Sequence, residues 1–508
     1  MSMTRPNILI LYTDQQRWDA LGANGNTNIK TPNLDRLANE GVNFDRYFVQ
    51  NPVCMPSRVS FLTSQYCSQS GIYQNGVRVP DETPTLATYL SSYGYTCANI
   101  GKLHFLPHAN RDHSDPHPAY GFHHLAISDE PGCYEDAYRA WARHLAPDQM
   151  DRISLGLPPA REMWEHQMGR EPIVHPEREK KCAIPFAADD HLTHTAFVAD
   201  ETMRFIDQNQ TRPFLAIAGF YSPHSPWITP QKYIDLYDPA TLSLPSIPDN
   251  WVSPASRTSI QDTELRSVRQ GYYGMISEVD DHVGRILNHL DGLGKRDNTI
   301  VLFISDHGDM LGDFGLWDKR FFYEASVGVP FIVSGPGIPT GSRLVPGISQ
   351  VLVSLLDLYP TLLNLAGVDP YPLMQRRDGR DILSILEGRR GSVRTAIFAE
   401  LATAVMIRTG NWKLVFDPEQ GGVQQLFNLT RDPQELENLA GVSGYEQATS
   451  ELVQQMLAHR IRLTQTTHAK EEQQLQRVRG RGLGLAGREG EVVDAQLPAA
   501  QGEQEGET

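Results

Sequence analysis

Apolar residues along the chain gather in a few short unbroken runs separated by amphipathic stretches. Asn7–Thr13 (NILILYT) and Thr299–Ser305 (TIVLFIS) are of strand length, rich in β-branched and aromatic residues, and apolar at nearly every position. Each run ends at polar residues, Asp14 in the first case and Asp306-His307-Gly308 in the second. A third run, Phe214–Phe220, leads into Ser-Pro-His-Ser-Pro-Trp. Continuous apolar runs predict strands buried on both faces, each handing a polar cluster to its C-terminal end. Between them, Thr31–Glu40 (TPNLDRLANE) and Thr83–Leu90 (TPTLATYL) have helical periodicity, and both open on Thr-Pro as a helix start should. Alternating strands and helices predict an α/β fold with a mostly parallel sheet sandwiched by helices. Such sheets gather ligands at strand C-termini, so the three polar clusters are expected to share one crevice.

The pattern changes twice along the chain. Residues 105–212 are irregular and rich in His, Pro, Asp and aromatics, which predicts a specificity insertion within a catalytic domain spanning 1–390. From 391 to 468 the runs TAIFAE and AVMIRTGNWKLVF predict a small C-terminal α+β subdomain built on an antiparallel sheet. Residues 469–508 are rich in Gln, Glu and Gly, a composition that cannot bury enough apolar surface alone. They are expected to be a disordered tail or an arm ordered in a homo-oligomer.

Composition narrows the function. The formal net charge is −16, which excludes nucleic acid or an anionic membrane as the main partner and requires any anionic ligand to be held by local cations or a metal. No apolar run approaches the ~20 residues needed to cross a bilayer, and the N-terminus lacks a secretory pattern, so a cytoplasmic location is expected. The five cysteines, Cys54, Cys67, Cys97, Cys133 and Cys182, show no C-x-x-C spacing, and neither a disulfide framework nor a zinc site is indicated. Four of them read as small buried apolar side chains.

Cys54 has different company, in Asn51–Ser64 (NPVCMPSRVSFLTS). Pro56 favours a helix start and Ser57, Arg58, Val59 and Phe61 continue it, which puts the sulfur near a helix N-terminus, where an anion is stabilised. A cysteine merely packed at a helix start remains the alternative. A tyrosine-phosphatase loop is excluded, because it needs five residues between Cys and Arg and three stand here. Asp14, Asp306 and His307 at strand ends form a set suited to a divalent cation, although one isolated Asp could equally be a helix cap.

Cys54-Met55-Pro56-Ser57-Arg58 followed by Phe61-Leu62-Thr63-Ser64 resembles the signature of the type I sulfatases, formylglycine-dependent members of the alkaline phosphatase superfamily. The resemblance extends from about Asn7 to Gly441 through NILILYTDQ, TPNLDRLANEGVNFDRYF, GIYQNG, GKLHF, SPHSPW, SDHGDMLGDFGLWDK and LFNLTRDPQELENLAG. It implies an alkaline-phosphatase-like fold, with a large mixed, mostly parallel sheet and a smaller C-terminal antiparallel one. It also implies that Cys54 is oxidised to Cα-formylglycine by a maturation enzyme and that one divalent metal, Mn²⁺ or Ca²⁺ ahead of Mg²⁺, is bound by Asp14, Gln15, Cys54, Asp306 and His307. Many sulfatases carry two aspartates where this chain has Asp14-Gln15. The Asp-Gln form resembles bacterial choline sulfatases, arylsulfatases and phosphonate monoester hydrolases, and Gln15 either ligates the metal or orients Asp14.

The remaining roles follow from the resemblance. Lys102 and His104 alternate off a strand end and would otherwise read as a solvated face. Their positions match the sulfate-holding lysine and the base that takes a proton from the second hydroxyl of the hydrated aldehyde. Phosphonate hydrolases typically lack this pair, which favours a sulfatase. His224, set between two prolines, and Lys319 correspond to sulfate binding and protonation of the leaving alcohol. Asn75 matches a substrate-binding asparagine, and Arg58 is expected to hydrogen-bond the hydrate and Asp306. The implied reaction is hydrolysis of a small-molecule sulfate ester, aryl, alkyl or sugar. The alternatives are a phosphonate monoester or phosphodiester hydrolase on the same site, and a non-catalytic sulfate- or glycan-binding relative.

Overall fold

Asn7–Thr13 and Thr299–Ser305 form strands with the bounds their apolar runs predict, and they lie side by side in parallel. The structure is a computed structural model that describes residues 5–107, 115–133, 135–155, 181–245, 261–339, 351–369, 377–387, 389 and 392–483, with side chains described through residue 464 except 45 and 46. The chain divides into two compact units, residues 1–457 and 458–508.

The main sheet combines β1 (Asn7–Thr13), β2 (Val42–Phe48), β3 (Thr96–Gly101), β4 (His124–Ile127), β6 (Phe214–Gly219), β8 (Thr299–Ser305), β9 (Gly328–Ser334) and β10 (Val353–Ser354), and β5 (Ile184–Pro185) pairs with β7 (Ile228–Thr229) apart from it. Its order is β10-β2-β9-β8-β1-β6-β3-β4, with β9 antiparallel to both neighbours and the other pairs parallel. Alternate residues of each central strand serve opposite faces. Ile8, Ile10 and Tyr12 join the core containing the Cys54–Thr63 and Leu358–Leu365 helices, whereas Leu9 and Leu11 join the core under the His194–Gln208 and Asp262–Gly292 helices. Both faces are covered, which is why the strands read as unbroken apolar runs.

Two expectations are corrected, and one stretch that composition left open is helical in part. The segment 105–212 is not simply an irregular insertion: β4 closes the sheet against β3, and the 15-residue helix His194–Gln208 buries Phe197, Val198, Phe205 and Ile206. Its clustered His, Asp and aromatic residues masked that periodicity. The helix expected over Thr83–Leu90 begins at Leu86, because Thr85, not Thr83, caps it by accepting from the Thr88 N–H. Within 469–508, where a disordered tail or oligomer arm was expected, a helix that begins at Glu446 continues to Leu483. Glu, Gln, Lys, Arg and Leu are all strong helix formers, so local propensity supports a helix there. Residues 484–508 of that tail lie outside the described residues.

A four-stranded antiparallel sheet, β11 (Ala396–Leu401), β12 (Ala404–Thr409), β13 (Trp412–Asp417) and β14 (Gly422–Asn428), forms the smaller element expected after 390. Its fourth strand, GVQQLFN, was not foreseen, since only Val, Leu and Phe mark it. Among the described residues no helix is long and apolar enough to cross a membrane.

Candidate active site

Strands β8, β1, β6 and β3 are consecutive and parallel, so four C-terminal ends open on one edge of the sheet. They deliver Asp306-His307, Asp14-Gln15, the turn Tyr221–His224 and Lys102, in that order. Facing them is the Cys54–Thr63 helix, all ten residues of which are buried, with Cys54 in its first position. The three clusters expected to share a crevice do so. Strand β3 ends at Gly101, and His104 takes a left-handed conformation (φ 58°), so Lys102 and His104 converge through a loop, not through strand alternation.

Cys54 Sγ lies 3.2 Å from His307 Nε2, 3.1 Å from Lys319 Nζ and 3.8 Å from Asp14 Oδ1, and His104 also hydrogen-bonds it. Burial alone would raise this thiol, yet Lys319, His307, Lys102 and the His104 hydrogen bond hold it well below the ordinary thiol range. The place is built for negative charge. Burial likewise opposes ionisation of Asp14, and the Cys54 charge adds to that. Lys102, with Nζ 2.8 Å from Oδ2, His224 and Lys319 overcome both and keep its carboxyl below the usual range. Asp306 shifts upward, driven by burial and then by Asp14. Arg58 spends its donors on Asp306 Oδ2 (2.8 Å), Asp14 Oδ2 (3.4 Å) and the Lys102 carbonyl (2.9 Å), over the Tyr12 ring. Its expected partner Asp306 is confirmed, and it braces the carboxylates more than the Cys54 side chain.

Asp14, Cys54, Asp306 and His307 each offer a donor atom, all within 4.8 Å of one another and all buried. His307 Nδ1 donates to the Gly308 carbonyl at 2.9 Å, which turns Nε2 toward Asp14 Oδ1 (3.7 Å) and Asp306 Oδ1 (3.6 Å), and although burial opposes a proton there, Asp306 and Cys54 favour one. A cation among the two carboxylates and the sulfur would take the place of that proton on Nε2, and two carboxylates with an imidazole suit a divalent ion. The donor set therefore fits the metal.

Gln15 plays a part that spacing did not reveal. Its Nε2 donates to Asp309 Oδ2 at 2.6 Å and to Asp318 Oδ1 at 3.3 Å, which fixes the amide so that Oε1 accepts from Lys319 Nζ at 2.9 Å. Its backbone, with φ 71°, also donates its N–H to Asp306 Oδ1 at 3.1 Å. Lys319 in turn sits 2.7 Å from His224 Nε2. Asn75 accepts from the Met55 N–H with Oδ1 at 3.0 Å, so it caps the Cys54 helix, and its amide nitrogen has no hydrogen bond among the described residues. Sequence reasoning missed Tyr221, Asp309 and Asp318. Tyr221 is fully buried, with its ring 4.7 Å from Lys102 Nζ and its hydroxyl 2.9 Å from His224 Nδ1. The available signal was its position just past an apolar strand and three residues before a candidate histidine.

Comparison with known proteins agrees with this geometry. The Sulfatase family model matches residues 6–368, and that of the N-sulphoglucosamine sulphohydrolase C-terminal region matches 312–462. An arylsulfatase of Clostridium perfringens is 31% identical, covering 87% of this chain and 92% of its own length. A choline-sulfatase of Rhizobium meliloti is 31% identical over 87% and 83%. Among solved structures, the phosphonate monoester hydrolase from Silicibacter pomeroyi superposes with a TM-score of 0.75 at 25% identity, covering 90% of this chain and 96% of that one.

Proposed function

The chain belongs to the sulfatase family, in the alkaline phosphatase superfamily, and is a sulfuric ester hydrolase; from that premise we propose how its residues divide the work. The substrate is a sulfate monoester of an aryl, small alkyl or sugar alcohol. Cys54 is converted to Cα-formylglycine, and one divalent metal is held by Asp14, Asp306, His307 and the modified side chain at 54. The imidazole ligand favours Mn²⁺ over Ca²⁺, with Mg²⁺ third. Gln15 orients the site through Lys319. The observation that carries this reading is the convergence of Lys102, Lys319, His104 and His307 on Cys54, beside the buried carboxylates of Asp14 and Asp306.

When present, the metal supplies Lewis acidity, and the hydrated aldehyde supplies the oxygen that meets sulfur. The other tasks fall to side chains of the chain itself. Lys102 stays protonated against burial chiefly through Asp14. Lys319, held chiefly by Cys54 and then by Asp14 in the unmodified chain, keeps Asp14 as its counter-charge once residue 54 is an aldehyde hydrate. Both neutralise the non-bridging sulfate oxygens. The Asn75 amide offers one more donor. As the S–O ester bond breaks, its electron pair passes to the bridging oxygen and His224 delivers a proton there from Nε2. His104, bonded to the side chain at position 54, accepts a proton on that side. Arg58 keeps Asp306 and Asp14 in register.

The test compares initial rates on 4-nitrophenyl sulfate, a phosphodiester and a phosphonate monoester. It uses metal-loaded protein produced together with a formylglycine-generating enzyme. Sulfate turnover should dominate. Dominant turnover of either phosphorus ester would replace this reading with the phosphonate or phosphodiester hydrolase that the structural likeness keeps in view.

A further inference from the structure

Tyr221 lies one residue beyond the strand-end pair Gly219-Phe220 and touches two groups, Lys102 and His224, to which the proposed reaction gives separate tasks. Its ring face carries the Lys102 ammonium, with Nζ 4.7 Å from the centroid, while Lys102 also pairs with Asp14 at 2.8 Å. Its hydroxyl donates to the Ser225 carbonyl at 2.9 Å and lies 2.9 Å from His224 Nδ1. That same carbonyl is 2.6 Å from His224 Nδ1. A carbonyl can only accept, and so can the phenol oxygen once its own proton is committed to Ser225, so Nδ1 must carry the hydrogen. The exchangeable position of the imidazole is then Nε2, the nitrogen 2.7 Å from Lys319 Nζ. Burial raises the Tyr221 phenol far above its usual range, so it remains a donor. Leu155, Ile184 and Ile228 pack around the side chain, and the edge of His194 meets it at 6.4 Å. Packing alone would explain a buried aromatic here; it would not explain a hydroxyl aimed at a catalytic imidazole and a ring set beneath a sulfate-binding lysine.

We propose that Tyr221 is a positioning residue for both halves of the reaction: its hydroxyl, with the Ser225 carbonyl, fixes His224 as the Nδ1–H tautomer so that Nε2 faces the leaving oxygen, and its ring holds the Lys102 ammonium at the sulfate. The assignment rests on the sulfatase reading of the site. The proton comes from the imidazolium form of His224, which carries a second hydrogen on Nε2; it passes to the departing alcohol as the S–O bond breaks and leaves the Nδ1–H tautomer, while Tyr221 neither gains nor loses one. Its hydroxyl therefore matters most when the alcohol is a poor leaving group and needs that proton.

Tyr221→Phe keeps the ring and removes the hydroxyl, whereas Tyr221→Leu removes both. Across a series of aryl sulfates with leaving phenols of increasing pKa, Tyr221→Phe should lower kcat by a factor that grows along the series, reaching about tenfold or more for the least acidic phenol, with little change in KM. Tyr221→Leu should add a weakening of competitive inhibition by inorganic sulfate of about fivefold through the lost cation–ring contact. Imidazole ¹⁵N spectra, with His224 identified by its loss in His224→Asn, should show the Nδ1–H form in the parent and a mixture in Tyr221→Phe. The same factor on every substrate, together with an unchanged tautomer, would overturn the proposal. If the parent hydrolyses no sulfate ester, the sulfatase reading fails, and the tautomer spectra still decide the role of Tyr221. Thermal melting identifies a Tyr221→Leu chain that does not fold, and in that case Tyr221→Phe carries the test.

Discussion

Single side chains in this site have little freedom, and Gln15 shows why. Both protons of its amide are taken by Asp309 and Asp318, and its oxygen by Lys319. A Gln15→Glu change places a carboxylate against two others in a dry site, so Lys319 should be drawn away from the ester. We expect kcat to fall by about 10- to 100-fold together with weaker metal retention, read by steady-state kinetics and metal content after dialysis. At Cys54, conversion to the aldehyde should lower the intact mass by about 18 Da. Cys54→Ala should fold with an unchanged melting profile, show no such shift and turn over no sulfate ester. An unshifted parent mass from cells containing the maturation enzyme would defeat the catalytic reading. At this scale the sequence revealed the residues that end an apolar run or belong to the Cys-x-Pro-x-Arg stretch, such as Asp14, Asp306 and Cys54. It could not reveal Tyr221, Asp309 or Asp318, whose roles depend on where a left-handed Gln15 or Asp318 (φ 71° and 60°) sends a hydrogen bond.

Elements follow the same logic with a longer reach. The 31-residue helix Asp262–Gly292 covers one face of the sheet and buries Glu278 completely, with Thr229 Oγ1 donating to it at 2.8 Å. Burial pushes this carboxyl up to about 7, against hydrogen bonds from Thr193 and Thr229 that favour ionisation. Since the folded value exceeds the unfolded one, the folded chain binds more protons between pH 4.5 and 7, and stability falls as pH rises through that window. The full penalty, present above pH 7, is about 3 kcal/mol. Glu278→Gln should therefore gain stability over the parent at pH 8 and lose that advantage near pH 4.5, measured by denaturant unfolding at each pH. Equal curves at both pH values would show that Glu278 does not titrate in this way. Strands buried on both faces were legible from composition alone, because nothing but apolar residues can fill them. The four-residue β4 and the His194–Gln208 helix were not, since each offers a single apolar face amid histidines and acids.

Across the whole of the first unit, the small C-terminal sheet is tied to the loop that follows Lys319. Lys413, on β13 and fully buried, donates to the Phe322 carbonyl at 2.8 Å and lies 2.6 Å from both Glu324 and Glu435. Lys413→Met leaves two buried carboxylates facing each other and should destabilise the protein by about 3–5 kcal/mol. It should also lower kcat on sulfate esters by loosening the Lys319 loop, which parallel unfolding and kinetic measurements would reveal. Unfolding losses without any kinetic change would limit Lys413 to a structural role. The sequence pointed to an antiparallel sheet after residue 390 but not to this tether, because a lysine in a strand ordinarily reads as a solvated edge. The complete burial of the Cys54–Thr63 helix bears on when the proposed oxidation could occur. Under the proposed conversion of Cys54, an oxidising enzyme could no longer reach position 54 once the sheet closes over that helix, so folding and oxidation would compete for each new molecule. Chains that fold first would then be stable, correctly shaped and inert. The yield of working enzyme would then be settled by a race at synthesis, and adding maturation enzyme to folded, unmodified protein should recover no activity, while the same addition to unfolded chain before refolding should.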